Sequence, residues 1–319
     1  LKIAILDAKT LGNDLDLTIY EQLGEVKIYD FTRPEQVLDR ITGMDVIITN
    51  KVVLGEENLS KAPTIKLICV TATGTNNIDS TYCKANKIGV ANVAGYSTDS
   101  VAQHTFALLF YLLEHLPYYD QYVKSGKYVD DEIFTHFDKK FWQVKDKTWG
   151  IIGLGAIGRR VAEIAKLFGA NIIYYSTSGQ NNNDQYKRVE LEELLAESDI
   201  ISIHSPLNDK TKNLITYTEL DRMKRNAILL NLGRGTIVNE ADLVKALNED
   251  LIAAAGLDVL EHEPINADNP LLMVKDSNKL FVTPHIAWAS LEARQTVVRE
   301  VYENIVAFTK GEIRNRVEL

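Results

Sequence analysis

Short runs of β-branched and other apolar residues, each ending in small or polar residues, alternate along the chain with stretches whose apolar positions recur at helical spacing. Residues 2–7, 26–29, 45–50 and 67–73 are the first such runs and predict the strands of one βα-alternating block. Six more, at residues 148–154, 171–175, 199–205, 227–232, 252–259 and 280–284, make a second block. Alternating strands and helices of this kind predict parallel sheets covered on both faces, an α/β fold. Between the blocks, residues 100–116 predict a strongly apolar helix with Asp99 placed to cap it, and the chain is expected to cross between domains at its start. The last helical stretch, residues 291–308, repeats Val298, Val301, Ile305 and Phe308 at helical spacing and must dock on something, although periodicity does not say on which block.

Composition narrows the class. The 319 residues, 45% hydrophobic and 25% charged, suit a globular chain of about two domains. A net charge of -9 and a pI near 5.3 disfavour nucleic acid as a partner, because neutralising phosphates needs a clustered Lys and Arg surplus. Cys69 and Cys83 lack metal-ligand spacing, so neither a disulfide framework nor a metal site is expected, and a reducing compartment such as the cytoplasm suits them. The opening residues lack the features of a signal peptide, and the absence of a leading Met suggests processing or trimming. The most apolar stretch, residues 106–113, is far short of the roughly 20 residues a bilayer requires, so no membrane span is predicted.

The densest chemical signal lies at Gly153, Gly155 and Gly158, a G-x-G-x-x-G after one predicted strand and before a helical stretch. Gly153 permits a tight turn, Gly155 lets backbone approach a pyrophosphate, and Gly158 lets the helix pack close. Glycine-rich strand ends also occur as plain turns, and the strand-helix-strand order around this one favours the dinucleotide reading. The next strand ends at Ser176, where an NAD site normally carries an acid for the ribose 2'-hydroxyl. Its absence permits NADP without supplying a grip on the 2'-phosphate, so NAD is expected and NADP is possible.

Ligands of open α/β sheets bind outside the carboxyl ends of the strands, and Arg234, Glu263 and His285 all follow predicted strands. Each also has a bland reading, as a turn arginine between Gly233 and Gly235, a solvated loop acid and a structural histidine. Spacing alone does not assemble them.

Taken together, these residues resemble the D-isomer-specific 2-hydroxyacid dehydrogenase family over essentially the whole chain. The shared motifs include GTNNID at 74–79, residues 92–97 with VAQHT at 101–105, GLGAIG, residues 204–207 with Thr211, NLGRG at 231–235, residues 256–259, Glu263-Pro264 and Pro284-His285-Ile286. The resemblance implies two Rossmann-like domains: a flavodoxin-like substrate domain of residues 1–98 and 290–319, and an inserted doubly wound dinucleotide-binding domain of residues 99–289. It gives the last helix a docking partner in the first block.

The same resemblance implies roles. Arg234 would hold the substrate carboxylate and polarise the ketone, with backbone N–H groups around Thr73 and Gly74 sharing the carboxylate. His285 would donate a proton to the carbonyl oxygen as the nicotinamide delivers hydride, and Glu263 would orient the imidazole and favour its protonated form. Cofactor positions, besides the three glycines, Arg234 and His285, would be Thr105, Ala156, Ile157, Ser176, Pro206, Thr211, Leu232, Gly233 and Asp258.

Within the family, residues 284–290 (PHIAWAS) and 92–97 resemble hydroxypyruvate reductases, also called glycerate dehydrogenases, so hydroxypyruvate and D-glycerate are the expected pair, with glyoxylate and glycolate possible. Trp288 would narrow the pocket or simply pack at the hinge. D-lactate dehydrogenase, acting on pyruvate, is the near alternative; a phosphoglycerate dehydrogenase with a regulatory extension is not expected of a sequence that runs to Leu319. An NAD-sensing corepressor is the alternative from another class, disfavoured by the lack of a disordered tail. A homodimer is expected from the family, with the 100–116 helix and the aromatic stretch from Tyr118 to Phe141 as candidate interface or core, and two lobes are expected to close on substrate.

Overall fold

The structure, a computed structural model, describes residues 1–318. The chain divides into two compact units, one of Leu1–Ser97 with Ala289–Leu319 and one of Thr98–Trp288. Both boundaries fall one residue earlier than the expected ones.

The first unit holds strands β1 (Lys2–Ile5), β2 (Glu25–Ile28), β3 (Val46–Thr49), β4 (Leu67–Val70) and β5 (Gly89–Ala91), with helices α1 (Val37–Ile41), α2 (Glu56–Leu59) and α3 (Ser80–Ala85) between them. All neighbouring strands are parallel, in the order β2-β1-β3-β4-β5, the flavodoxin-like arrangement. The ladders are shorter than the apolar runs predicted, because the polar ends of the runs leave the sheet. Asp7, for example, turns its buried carboxylate onto the N–H groups of Asn50 and Lys51. Strand β5 escaped prediction: three small or apolar residues offer too little pattern to read.

The second unit opens with α4 (Thr98–Leu113) and α5 (Leu116–Lys124), followed by β6 (Thr148–Ile152), α6 (Ala156–Leu167), β7 (Asn171–Tyr175), β8 (Lys187–Arg188), α7 (Leu191–Glu197), β9 (Ile200–Ile203), α8 (Tyr217–Arg222), β10 (Ile228–Asn231), α9 (Glu240–Asn248), β11 (Ala254–Leu257) and β12 (Leu280–Val282). Its parallel sheet runs β12-β11-β10-β9-β6-β7-β8, a doubly wound order that reverses direction between β9 and β6. The two-residue, wholly charged β8 carries no apolar signal and was not foreseen.

Two expectations about the first long helix need correcting. Asp99 lies inside the first turn of α4 rather than capping it, and its carboxylate pairs with Arg160 at 2.8 Å. The helix also stops at Leu113: His115 takes a left-handed φ of 51°, and Pro117, which lacks an N–H and is tolerated only in a first helical turn, stands second in α5. Val101, Ala102, Phe106, Leu108, Leu109, Leu112 and Leu113 are buried against Trp149, Ile151 and Leu230, so this face of α4 is core of its own unit. The aromatic stretch after it stays on the surface, with Phe134, Phe137 and Phe141 exposed.

The final helix, α10 (Leu291–Thr309), returns to the first unit. Val297, Val298, Val301 and Ile305 pack on Ile3, Ile5, Val46, Ile48 and Cys69, which supplies the docking partner that periodicity left open. Cys69 and Cys83 are buried free thiols. Among the described residues, no cluster of His, Cys, Asp and Glu could hold a metal, and no helix is long and apolar enough to cross a membrane.

Candidate active site

The reversal of strand order between β9 and β6 opens a crevice at the carboxyl edge of the second sheet, and the glycine turn after β6 forms one wall of it. Gly153 has a φ of 93°, a left-handed conformation that L side chains avoid, and a Cβ there would lie 2.8 Å from the backbone nitrogen of Ser205. A Cβ on Gly158 would lie 2.3 Å from the Gly153 carbonyl oxygen, so α6 packs directly on the turn. Gly155 is different: nothing lies within 4 Å of the place its Cβ would take. Helix α6 starts from this glycine with no side chain capping its first-turn N–H groups, those of Ala156 and Ile157 among them. An open cradle at the positive end of a helix suits a pyrophosphate.

The far wall comes from the end of β9. Both ring nitrogens of His204 and the hydroxyl of Ser205 are buried without a hydrogen-bond partner. Burial pushes the His204 pKa down to about 3, which keeps the ring neutral. Buried polar atoms normally find partners, so three orphans beside a glycine cradle mark a wall that a polar ligand completes. The residues present therefore fit a dinucleotide.

Strand β10 delivers Arg234. Asn231, fully buried at the strand end, accepts the Gly233 N–H at 3.1 Å and donates its amide to the Arg234 carbonyl at 3.0 Å. The exposed guanidinium donates to the Gly233 carbonyl at 2.8 Å. Neither neighbouring glycine tolerates a side chain: a Cβ at 233 would sit 2.9 Å from the Ser205 carbonyl, and one at 235 only 1.9 Å from the Leu260 carbonyl carbon. The Arg234 loop is thereby pressed against the loop that carries Glu263.

Glu263 is held from both ends. One carboxylate oxygen accepts the Leu260 N–H at 2.9 Å, and the other lies 2.7 Å from Nδ1 of His285. A carboxylate can only accept, so Nδ1 carries a proton and Nε2 is left for chemistry. The loop itself is braced by Glu240, a buried residue whose two oxygens accept from the Glu261 N–H and the Asn269 amide, each at 2.7 Å.

His285 has a φ of 54°, uncommon for a residue with a side chain, and the structure around it over-determines that conformation. Its N–H donates to the carbonyls of Asp258 and Thr283, both at 2.9 Å. The Asp258 carboxylate then accepts the N–H groups of Ile286 at 2.8 Å and Ala287 at 2.9 Å, and the Thr283 hydroxyl at 2.7 Å.

The structure thus joins Glu263 to His285 directly and sets Arg234 on the adjoining loop. Other expected contacts are placed differently. Thr105 has no exposed surface and donates its hydroxyl to the Val101 carbonyl, and Thr211, equally buried, donates to the Pro206 carbonyl at 2.8 Å. Asp258 is 2% exposed with both oxygens engaged. Thr105 bonds within its own helix, and the polar atoms of Thr211 and Asp258 brace loops. Ser176 is buried and accepts the Asn181 N–H at 3.2 Å, Leu232 is 7% exposed, and Pro206 is exposed. Trp288 is partly buried on the core of the second unit. In the first unit, Thr73 and Gly74 follow β4; the Thr73 hydroxyl donates to Val93 and its carbonyl accepts from the Asn92 amide.

Sequence reasoning missed the bracing roles of Asn231 and Glu240. Asn231 had a signal, a polar residue closing the otherwise apolar strand 228–231, whereas Glu240 reads like any acid in the first turn of a helix.

Residues 106–287 match the NAD binding domain of the D-isomer specific 2-hydroxyacid dehydrogenases. The chain is 38% identical to a hydroxypyruvate reductase of Blautia hydrogenotrophica, covering 98% of each, and 36% identical to a glycerate dehydrogenase of Methylorubrum extorquens, covering 99% of each. Among solved structures, an acyclic imino acid reductase in complex with NADPH and D-Arg superposes with a TM-score of 0.88 at 30% identity, over 99% of this chain and 100% of that one. A D-lactate dehydrogenase from Aquifex aeolicus complexed with NAD and lactic acid gives 0.85 at 28% identity, over 100% and 99%. Family match, relatives and cradle agree, and the chain belongs to the D-isomer specific 2-hydroxyacid dehydrogenases, oxidoreductases that use a nicotinamide cofactor.

Proposed function

We propose that the protein reduces hydroxypyruvate to D-glycerate, with Arg234, Glu263 and His285 as its chemical centre. The observation that carries the chemistry is the 2.7 Å contact between Glu263 and Nδ1 of His285, which fixes the ring and frees Nε2. Naming the substrate draws on the hydroxypyruvate reductase and glycerate dehydrogenase among the relatives; pyruvate is the second reading, on the likeness to a D-lactate dehydrogenase.

When bound, the nicotinamide cofactor supplies the hydride to the carbonyl carbon. The chain's own residues do the rest. Arg234 presents a planar fork to the substrate carboxylate and draws electron density from the neighbouring ketone. Protonated His285 gives its Nε2 proton to the carbonyl oxygen as negative charge develops there, and Glu263 stabilises the imidazolium through Nδ1. Gly155, the first turn of α6, Ser205 and His204 hold the dinucleotide.

We assign NADH as the working cofactor, with NADPH also accepted. No acid stands at Ser176 to repel a 2'-phosphate, and among the described residues Arg188 on the adjoining strand bonds the uncharged Gly179 carbonyl and Asn182 amide oxygens, each at 3.0 Å, on the loop that follows β7, which supports acceptance of NADPH. The exposed Phe134, Phe137 and Phe141 support a homodimer, which light scattering of the purified protein tests.

The deciding experiment compares initial rates of NADH and NADPH oxidation with hydroxypyruvate, glyoxylate and pyruvate, with a His285→Ala variant alongside. Hydroxypyruvate is expected to lead and the variant to lose most activity. A lead for pyruvate moves the assignment to D-lactate dehydrogenase. No turnover on any of the three refutes the proposal and favours a cofactor-sensing protein.

A further inference from the structure

Behind the His285 loop, on the side of α4, stands a residue for which the mechanism has no task. His104 sits in α4 with its side chain only 19% exposed, and its Nε2 lies 3.0 Å from the Thr283 hydroxyl and 3.6 Å from the nearer Asp258 oxygen. Thr283 follows β12 directly and is two residues from His285.

The direction of these bonds can be worked out. A threonine hydroxyl has one proton, and here it goes to Asp258 at 2.7 Å, since a carboxylate can only accept. The Thr283 oxygen must then accept from His104, so Nε2 of His104 carries a proton. Burial draws the His104 pKa below its ordinary value, against the pull of the Asp258 charge, which favours a neutral ring with its single proton on Nε2. A chain of donors results: His104 to Thr283, Thr283 to Asp258, with the two oxygens of Asp258 also taking the N–H groups of Ile286 and Ala287. The far end of this chain is the backbone directly after His285, which is held at a φ of 54°.

We infer that His104 is a positioning residue for proton transfer, anchoring through Thr283 and Asp258 the strained loop that aims His285. The inference rests on the acid role given to His285 under the proposed function. It assigns a physical reason to a histidine within a helix whose other inward residues, Thr105 apart, are apolar. Without the His104 donor, Thr283 is free to rotate away from Asp258, and the clamp on residues 286 and 287 loosens. A small displacement of a proton donor costs rate more than it costs affinity.

The test is a set of full-chain variants, His104→Leu, His104→Gln, Thr283→Val, the double variant His104→Leu/Thr283→Val and His285→Ala. They are assayed for kcat and KM with NADH and hydroxypyruvate, glyoxylate and pyruvate, for NADH binding by fluorescence titration, and for thermal melting. His104→Leu is expected to lower kcat about 10- to 100-fold while KM and the NADH Kd move by less than about three-fold. His104→Gln, which can still donate to Thr283, should recover most of that loss. Thr283→Val should reproduce the loss, and the double variant should be little worse than either single one, because both act along one path. Wild-type kcat in His104→Leu, failure of the glutamine to rescue a folded protein, or additive losses in the double variant each overturn the inference. If His104→Leu does not fold, Thr283→Val with wild-type kcat overturns it. An active His285→Ala instead sinks the acid role itself, so the two failures are told apart.

Discussion

Two alanine substitutions in one turn are expected to fail in opposite ways. At Gly155, with φ -77° and nothing within 4 Å of the Cβ position, alanine is sterically free. Loss of a favourable helix-capping glycine costs about 0.5–1 kcal/mol, and lower unfolded-state entropy returns about 0.4–1 kcal/mol, so folding stability should barely change. The methyl group, however, occupies the open cradle in front of the α6 amides. Forfeiting one or two charge-assisted hydrogen bonds, each worth about 1.5–3 kcal/mol, predicts an NADH Kd roughly 10- to 100-fold weaker or more. At Gly158, the added Cβ meets the Gly153 carbonyl oxygen at 2.3 Å, a backbone atom that cannot swing aside. Overpacking of this kind costs about 1–3 kcal/mol, several degrees in Tm for a unit of this size. Fluorescence titration with NADH and calorimetry of the cofactor-free protein separate the two quantities. A Gly155→Ala protein that binds NADH like the wild type, or melts as early as Gly158→Ala, would refute the reading of this turn as a pyrophosphate cradle.

The triad gives sharper kinetic expectations. Glu263→Gln keeps a carbonyl for the Leu260 N–H but removes the charge beside His285, so kcat should fall about 10- to 100-fold with circular dichroism unchanged; a loss below about two-fold would remove Glu263 from the mechanism. Arg234→Lys keeps the charge and loses the fork, and should raise KM for the 2-ketoacid about 10-fold or more with little change in NADH Kd. His204 should dominate acid sensitivity of the cofactor-free protein. Its folded pKa of about 3 lies below the ordinary value of 6.5, so between these the unfolded state binds the extra proton, stability is full above pH 6.5, and it falls as the pH drops. The slope is about 1.4 kcal/mol per pH unit from this group, and urea melts at pH 7, 6 and 5 should show it abolished in His204→Leu. An unchanged slope in that variant would mean that another group controls acid unfolding.

How far the sequence could be read depended on which physical signal each feature leaves. Buried parallel strands must be apolar on both faces, so β1, β7 and β10 stand out, while the two charged residues of β8 at the sheet edge leave no mark. Strand order leaves none either, because helical crossovers of similar length are compatible with many orders; it came from resemblance. In the site, the glycines were legible because the turn leaves each a distinct steric reason, an open cradle at 155 and close backbone at 153 and 158. Polar motif residues were not legible in this sense. Thr105, Thr211 and Asp258 look like ligands in a string of letters, yet the two threonine hydroxyls donate to the Val101 and Pro206 carbonyls and the Asp258 carboxylate takes N–H groups after His285. A motif records that a position matters to the chemistry without recording whether the side chain touches the reactants or holds the group that does. Strain makes the distinction necessary here: a histidine at positive φ does not stay in place unaided, so the site must contain residues whose work is to hold it. A buried carboxylate that accepts from three points of one short loop is that kind of residue, and the sequence around Asp258 gave no sign of it because the partners, Thr283, Ile286 and Ala287, lie 25 or more positions away.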